Sequence, residues 1–479
     1  MDLNLSGTDV IGKFKQLDYR DLIIFLIPFV IFTVYLYVFN PGLMSFDSFN
    51  QMHQIATGKF TNNHPFFHTF IEMLCISVYP SPASYCVFQI CVFSVMWMVI
   101  CKYFRKTKKH FLLQVLVTLV ISLIPLNGLY SITLWKDVLF SYFLMFTCFL
   151  VKVLLDRDRA GYGFIVVMSI VMACTAQLRH NGTIVILIFL AVLAIYYYRK
   201  DKKQKLHIKI PALTIVFILM IASLNVMYDV DDNQKDALAA KVVHILSDYD
   251  LYLDLSDEDS AKIHNLISEK NIKTYYNKTY SDPVYNHFNH TEYDKNKMDY
   301  IFLAMKCSVF HPIHFMKYLL KSAPMVWDIT RDSDWGGIIY KTDNDKSKEN
   351  FYRQKNTTAA AGYDNATVKN SGKGFYEKMN SFAYDFKDNY ITQTLFLSPA
   401  LYMYLSIILV VAIHLITKSK TISLVYLPNM INIVLVFLST PIQDVRYLYP
   451  SFLICYLLII ALIGSKRKAD DEIGETESI

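Results

Sequence analysis

Residues 22–39 read LIIFLIPFVIFTVYLYVF, and after Asn40-Pro41-Gly42-Leu43-Met44 the chain continues Ser45-Phe46-Asp47-Ser48-Phe49-Asn50-Gln51. The first run is apolar for nearly the length a helix needs to cross a bilayer, about 20 residues. It has no small-residue cleavage site and is flanked by Tyr35 and Tyr37, so it is a retained span and not a signal peptide, with the amino terminus cytoplasmic. The second run is polar and begins where the span ends.

Similar apolar stretches recur near 83–101, 111–132, 138–154, 163–178, 183–198, 209–228, 395–416, 421–439 and 447–464. With 22–39 they predict an all-α polytopic membrane protein of about ten transmembrane helices. Composition agrees: 54% of the 479 residues are hydrophobic, 15% aromatic and only 18% charged, and mean hydropathy is +0.29. The net charge of +6 does not indicate a nucleic-acid face, because the cations sit in short runs beside apolar stretches, such as Lys102 to Lys109 and Arg199 to Lys205. Cys91, Cys101, Cys148, Cys174 and Cys455 lie in or beside apolar stretches and no CxxC occurs, so neither a disulfide scaffold nor a zinc site is indicated.

With the amino terminus inside, alternation puts Lys102 to Lys109, Arg157 and Arg159, Arg199 to Lys205, Lys418 and Lys420, and Lys466 to Lys468 in the cytoplasm, as the positive-inside rule requires. The division expected is a membrane domain over 1–228 with a first external loop at 40–82, an external soluble domain over 229–394, mainly α or mixed, spans eight to ten over 395–465, and a cytoplasmic tail over 466–479. Ser256 to Lys270 predicts a capped amphipathic helix with Ile263, Leu266 and Ile267 on one face. Met298 to Leu320 predicts a helix packed on the membrane domain, and Thr342 to Lys373 reads as loop.

The few cations outside the inner loops stand beside distinctive polar motifs. In the first external loop, helical spacing puts Asp47, Gln51 and Gln54 on one face and Phe46, Phe49 and His53 on another; after Pro65, His64, His68 and Glu72 follow at intervals of four. Two amphipathic interfacial helices are predicted, their His/Glu stripe wetting the outer face. Asp47 has no cation near it in sequence, which favours a functional role. The second external loop holds Trp135-Lys136-Asp137, which could also be a plain surface pair. The third holds Gln177, Arg179, His180, Asn181 and Gly182, and a guanidinium there needs a partner such as Asp47, Asp137 or an anionic ligand. The last is Thr440-Pro441-Ile442-Gln443-Asp444-Val445-Arg446-Tyr447, where Asp444 and Arg446 could simply pair. Carboxylates at several helix ends supply a general base, and Arg, Lys and His supply cations for a phosphate leaving group.

The architecture, Asp47 in the first external loop, Gly58, His64-Pro65 and the late Arg446-Tyr447 together resemble the GT-C class of integral membrane glycosyltransferases, which includes protein O-mannosyltransferases and the lipid A aminoarabinose transferase. The resemblance covers roughly 20–228 and 395–464; Asp47 lacks an adjacent acidic partner, and the large polar segment falls between the seventh and eighth spans instead of at the carboxyl end. It implies a polyprenyl-phosphate sugar donor, an envelope glycan or lipid acceptor deprotonated by Asp47, and inversion at the anomeric carbon. Asp47 and Asp137 would then be catalytic, with Lys136, Arg179, His180, Arg446, Gln51 and His64 binding substrate. A divalent ion held by Asp47 with Asp137 or His64 would neutralise the leaving phosphate, although sequence leaves the need for it open. A polysaccharide polymerase or ligase would use the same donor. A transporter or flippase of lipid-linked sugars would place polar groups near the bilayer midplane, whereas here the span centres are almost free of ionisable residues.

Overall fold

A computed structural model describes residues 17–157, 159–200, 202–231, 237–330, 339, 340, 342, 344, 349, 373–439 and 443–465. The 466–479 tail, nearly all of the 342–373 loop and the Thr440-Pro441-Ile442 part of the last turn lie outside them.

The described residues are helical, with isolated bridges such as Leu43–Thr133 and no strand among them. The membrane part opens with α1 (Tyr19–Val38), α2 (Phe46–Thr57), α3 (Phe66–Val78), α4 (Pro82–Phe104), α5 (Lys108–Leu123) and α6 (Pro125–Ser131). It continues with α7 (Lys136–Leu155), α8 (Tyr162–Gln177), α9 (His180–Lys200) and α10 (Leu206–Met227). Every expected span is helical, though one is broken into two helices and one is short. Among the described residues eight helices are long and apolar enough to span alone, and α5 with α6 makes a ninth bent by 73°. Pro125 causes the break, since it cannot donate within the ladder. Asn127 caps it, giving its amide to the Ile121 carbonyl (2.6 Å) and accepting from the Tyr449 hydroxyl (2.9 Å). The tenth, α8, is a shorter apolar helix of 16 residues.

The cytoplasmic-type cations are not only topology signals. Asp21, buried in the first turn of α1, pairs with Lys102 (2.7 Å) and with Arg105, tying α1 to the end of α4.

The segment expected to form one unit over 229–394 divides between two cores. Helices α11 (Ala237–Tyr252), α12 (Asp257–Leu266), α13 (Glu269–Tyr275), α14 (Asp282–Tyr285), α15 (His290–Lys295), α16 (Lys297–Phe310) and α17 (Pro312–Ser322) enclose a core of their own around Val243, Leu246, Ile263 and Leu303. Ser256 caps α12 as predicted, accepting from the Asp259 amide. The expected Met298–Leu320 helix is instead two, broken at His311-Pro312; its buried face belongs to this core, against which Phe437 of the 422–439 helix also packs. By contrast α18 (Pro324–Trp327), α19 (Lys373–Asp388) and α20 (Tyr390–Leu397) place Met325, Val326, Ala383 and Leu397 in the membrane core. The chain ends its described part with α21 (Pro399–Thr417), α22 (Ile422–Ser439), a 3-10 turn at Val445–Leu448 and α23 (Tyr449–Ile463). The two most enclosed candidate spans, α7 (78% buried) and Val445–Ile463 (72%), stand at the centre. Their first residues carry the polar motifs.

Candidate functional site at the mouth of the central helices

Backbone pairing sets the position of Asp47. The Leu43 amide donates to the Ile132 carbonyl (2.8 Å) and the Leu134 amide to the Leu43 carbonyl (3.0 Å). Gly42, at φ +118°, allows this approach, since a Cβ there would meet the Cys86 sulfur at 2.6 Å. Ser48 then donates to the Leu134 carbonyl (2.7 Å), and the Trp135 indole donates to the Ser45 hydroxyl (2.8 Å). The start of α2 is thereby laid beside the start of α7. Asp47 and Asp137 both fall in first turns, where the helix dipole favours a carboxylate. A second tight turn presents Arg179 between α8 and α9: Gly182 donates to the Arg179 carbonyl (2.8 Å), and a Cβ on it would sit 2.6 Å from the Thr175 carbonyl.

These elements close a ring of alternating charge. Arg446 donates to Asp47 (3.0 Å), lies 2.8 Å from Asp444 and 3.8 Å from Asp137, and stacks over the Trp135 ring at 4.8 Å. Arg179 lies 3.0 Å from Asp137, donates to the Tyr447 carbonyl (3.3 Å) and stacks on the Tyr447 ring at 4.6 Å. Lys136 is 4.0 Å from Asp137 and donates to His64 Nδ1 (3.2 Å), whose Nε2 faces Asp47 at 3.8 Å. Among the described residues neither oxygen of Asp137 nor Nε of Arg446 has an aligned hydrogen bond, so close charges coexist with unused hydrogen-bonding capacity. Asp47, with 27% of its side chain exposed, is the member most open to a ligand.

Burial alone would raise the Asp47 carboxyl, but Arg446, with help from Lys136, overrides it and holds the group well below the usual range. Burial, reinforced by the Lys136 charge, lowers His64 to about 3, so it is neutral at ordinary pH. Burial raises Asp444 to about 6 against the pull of Arg446.

Asp47, Asp137, Lys136, Arg179, Arg446 and His64 thus meet. Arg179 finds Asp137 as partner, and Asp47, which has no cation near it in sequence, has Arg446. Lys136 and Asp137 are not a surface pair, since Asp137 is fully buried. Two other expected site residues make no direct contact with the ring's carboxylates. Gln51 is buried and turned away from the opening, giving its amide to His68 Nδ1 and the Thr69 hydroxyl (both 2.9 Å). His180 is exposed, and its ring meets the backbone of Asn62 and Asn63. The set Asp47, Asp137 and His64 does not converge on a metal position. Arg446 bridges the two carboxylates, and among the described residues no three His, Cys, Asp or Glu side chains are placed to hold an ion.

The His68/Glu72 stripe, expected to be wetted, faces inward. His68 accepts from Gln51 and donates through Nε2 to the Tyr85 hydroxyl (2.8 Å), while both Glu72 oxygens lack a hydrogen-bond partner among the described residues. Burial pushes the Glu72 carboxyl well above its ordinary value and lowers His68 to about 3. Two contributors escaped the sequence reading. Trp135 forms the floor under Arg446, and Gln443 fixes the turn before Asp444 by accepting from the Met325 amide (3.2 Å) and donating to the Ser322 carbonyl. The adjacency of Trp135 to Lys136-Asp137 was the available signal for the first.

Fold and site define a polytopic helical membrane protein with a charge-paired cluster at the mouth of its central helices. Comparisons with protein-family models, curated proteins and solved structures find no match.

Proposed function

We propose that the chain is a glycosyltransferase of the GT-C class, moving a sugar from a polyprenyl-phosphate donor to an acceptor hydroxyl at the extracytoplasmic face of the cell membrane. The basic inner loops supply the orientation, with both termini cytoplasmic and 229–394 outside. The observation that carries the reading is the ring itself: Asp47 and Arg446, 399 positions apart, are drawn together with Asp137, Lys136 and Arg179 at the head of the two innermost spans. Structural pairing alone does not need three cations in so small a volume, with a half-open carboxylate among them.

In the resting arrangement Asp47 is a poor base, because Arg446 stabilises its charge. A donor phosphate competes for the planar guanidinium, which binds such oxygens two at a time. As Arg446 turns to the phosphate, Asp47 loses its strongest cationic neighbour and burial raises its proton affinity. It then takes the acceptor hydroxyl's proton while the acceptor oxygen bonds to the anomeric carbon. The bond from that carbon to the phosphate oxygen breaks, and its electron pair leaves with the lipid phosphate against Arg446 and Arg179. Positioned base catalysis of this kind contributes roughly 10²–10⁴-fold.

Purified protein in lipid should release polyprenyl phosphate from one member of a panel of radiolabelled polyprenyl-phosphate sugars when acceptor glycans or lipids are present. Release from none would overturn the transferase and favour a carrier of lipid-linked sugars. A ladder of products instead of one added sugar would assign the same chemistry to a polymerase.

A further inference from the structure

Helices α16 and α17 form a hairpin with two unlike faces. Tyr300, Leu303 and Cys307 of α16 and Tyr318 and Leu319 of α17 turn into the 237–322 core. The opposite faces are exposed and largely apolar, with Lys317 and the Asp259-paired Lys306 as cations beside them. Phe302, Met305 and Val309 line one side of α16, and Ile313, Met316 and Leu320 one side of α17, at the spacing of a helical stripe. At the tip Val309, Phe310 and Ile313 are each 73% exposed. Contiguous apolar surface of this kind marks a membrane or a protein partner.

What lies beside the stripe selects the membrane. The hairpin runs through α18 to Trp327, whose carbonyl accepts from the Tyr404 hydroxyl (2.8 Å) near the start of the candidate span α21. Below Tyr404 that span shows Leu405 and Ile408 to its surroundings, as a lipid-facing helix does. A Trp and a Tyr at this level suit the boundary between headgroups and acyl chains. Gln443 holds the hairpin's end in place by bonding both the Ser322 carbonyl and the Met325 amide, immediately before the turn that carries Asp444 and Arg446.

We propose that the α16–α17 hairpin is immersed in the bilayer leaflet on the same side as the Asp47–Arg446 ring, its bare stripe covered by acyl chains. The 237–322 unit is then not held off in water but moored on the membrane, and a lipid-borne ligand moving in that leaflet meets the hairpin where Gln443 joins it to the ring. The proposal does not depend on the sugar-transfer reading.

The test uses the full chain in nanodiscs of phosphatidylethanolamine and phosphatidylglycerol, doped with a phospholipid bearing a diazirine near the end of one acyl chain. After illumination, labelled peptides are mapped by mass spectrometry. The expected result is label in 297–322 at a yield comparable with that in 399–417, with 256–275 unlabelled. Phe302→Ser combined with Ile313→Ser should remove label from 297–322 and leave that in 399–417 unchanged. Label in 297–322 no greater than in 256–275, or cross-links from 297–322 to a second copy of the chain, would overturn the proposal.

Discussion

Two polar clusters, four residues apart along the first external loop, behave as opposites. Asp47 on α2 and His64 just before α3 belong to the ring, while Gln51 and His68, each four residues further along, belong to a closed layer with Tyr85, Thr69 and Glu72. In the ring, burial is offset by cations brought from 446 and 136, so the carboxylate of Asp47 is held well below the usual range. In the closed layer the described residues within ion-pair distance of Glu72 include only His68, which burial keeps neutral, so burial wins and the carboxyl is pushed well above its ordinary value. The difference teaches that supply of counter-charge, not burial, separates a group able to do ionic chemistry from one that is only packed.

The sharpest way to break the contrast is to remove counter-charge from the ring. Asp137→Asn leaves Arg179 buried beside a neutral partner, and stability should fall by about 3–5 kcal/mol, the usual cost of orphaning a buried charge; melting in detergent measures it. Unchanged melting would mean that the pair is solvated.

Arg446→Lys should come next. The charge survives, but the planar fork bridging Asp47, Asp444 and a donor phosphate does not, so donor turnover should drop by about tenfold or more, more than melting suggests. Equal turnover would reduce Arg446 to a structural partner of Asp444.

The layout of these clusters was only partly legible in the sequence. The apolar runs and the four-residue spacing of His64, His68 and Glu72 were enough to place the helices. They did not say which face of α3 turns inward, because Phe67, Phe70 and Ile71 make the other face look like the buried one; that side is only partly covered, Phe70 meeting the Tyr228 ring at 5.7 Å, and Tyr85 supplies the polar partner on the buried side. Pairing of Asp47 with Arg446 depends on how α7 and the last span pack, and no local pattern encodes a contact across 399 positions. Pro125 and Pro312 were visible as breakers, yet long apolar surroundings read as continuous helix, which is why one span bends and one expected helix is two.

Asp444 offers a finer test, since its raised value of about 6 lies near working pH. Its folded value exceeds its ordinary 3.8, so protonation favours the folded state and its contribution to stability declines as pH rises from 3.8 through about 6. Because Arg446 joins Asp444 to Trp135, tryptophan fluorescence should show a step near pH 6 that Asp444→Asn removes. Persistence of the step in the variant would assign it elsewhere.

The smallest effect belongs to the closed layer. Burial favours the protonated form of Glu72, so Glu72→Gln should leave donor turnover unchanged and melt like the wild type below pH 4.5, the ordinary value of the group. Above that, the wild type loses stability as pH rises toward the raised folded value, whereas the Gln variant does not, so the variant should melt progressively higher. A variant that melts lower at every pH would mean that Glu72 is charged and paired.

The central claim, that the ring is a site in which Asp47 acts as base, is tested most directly by Asp47→Asn, with donor turnover and melting measured on the same preparation. Asn keeps the size of Asp but cannot accept the proton, and Arg446 retains Asp444 and Asp137 as partners, so folding should hold. Turnover lower by at least about a hundredfold with melting nearly unchanged is the predicted result; near-normal turnover in a folded Asp47→Asn protein would contradict it.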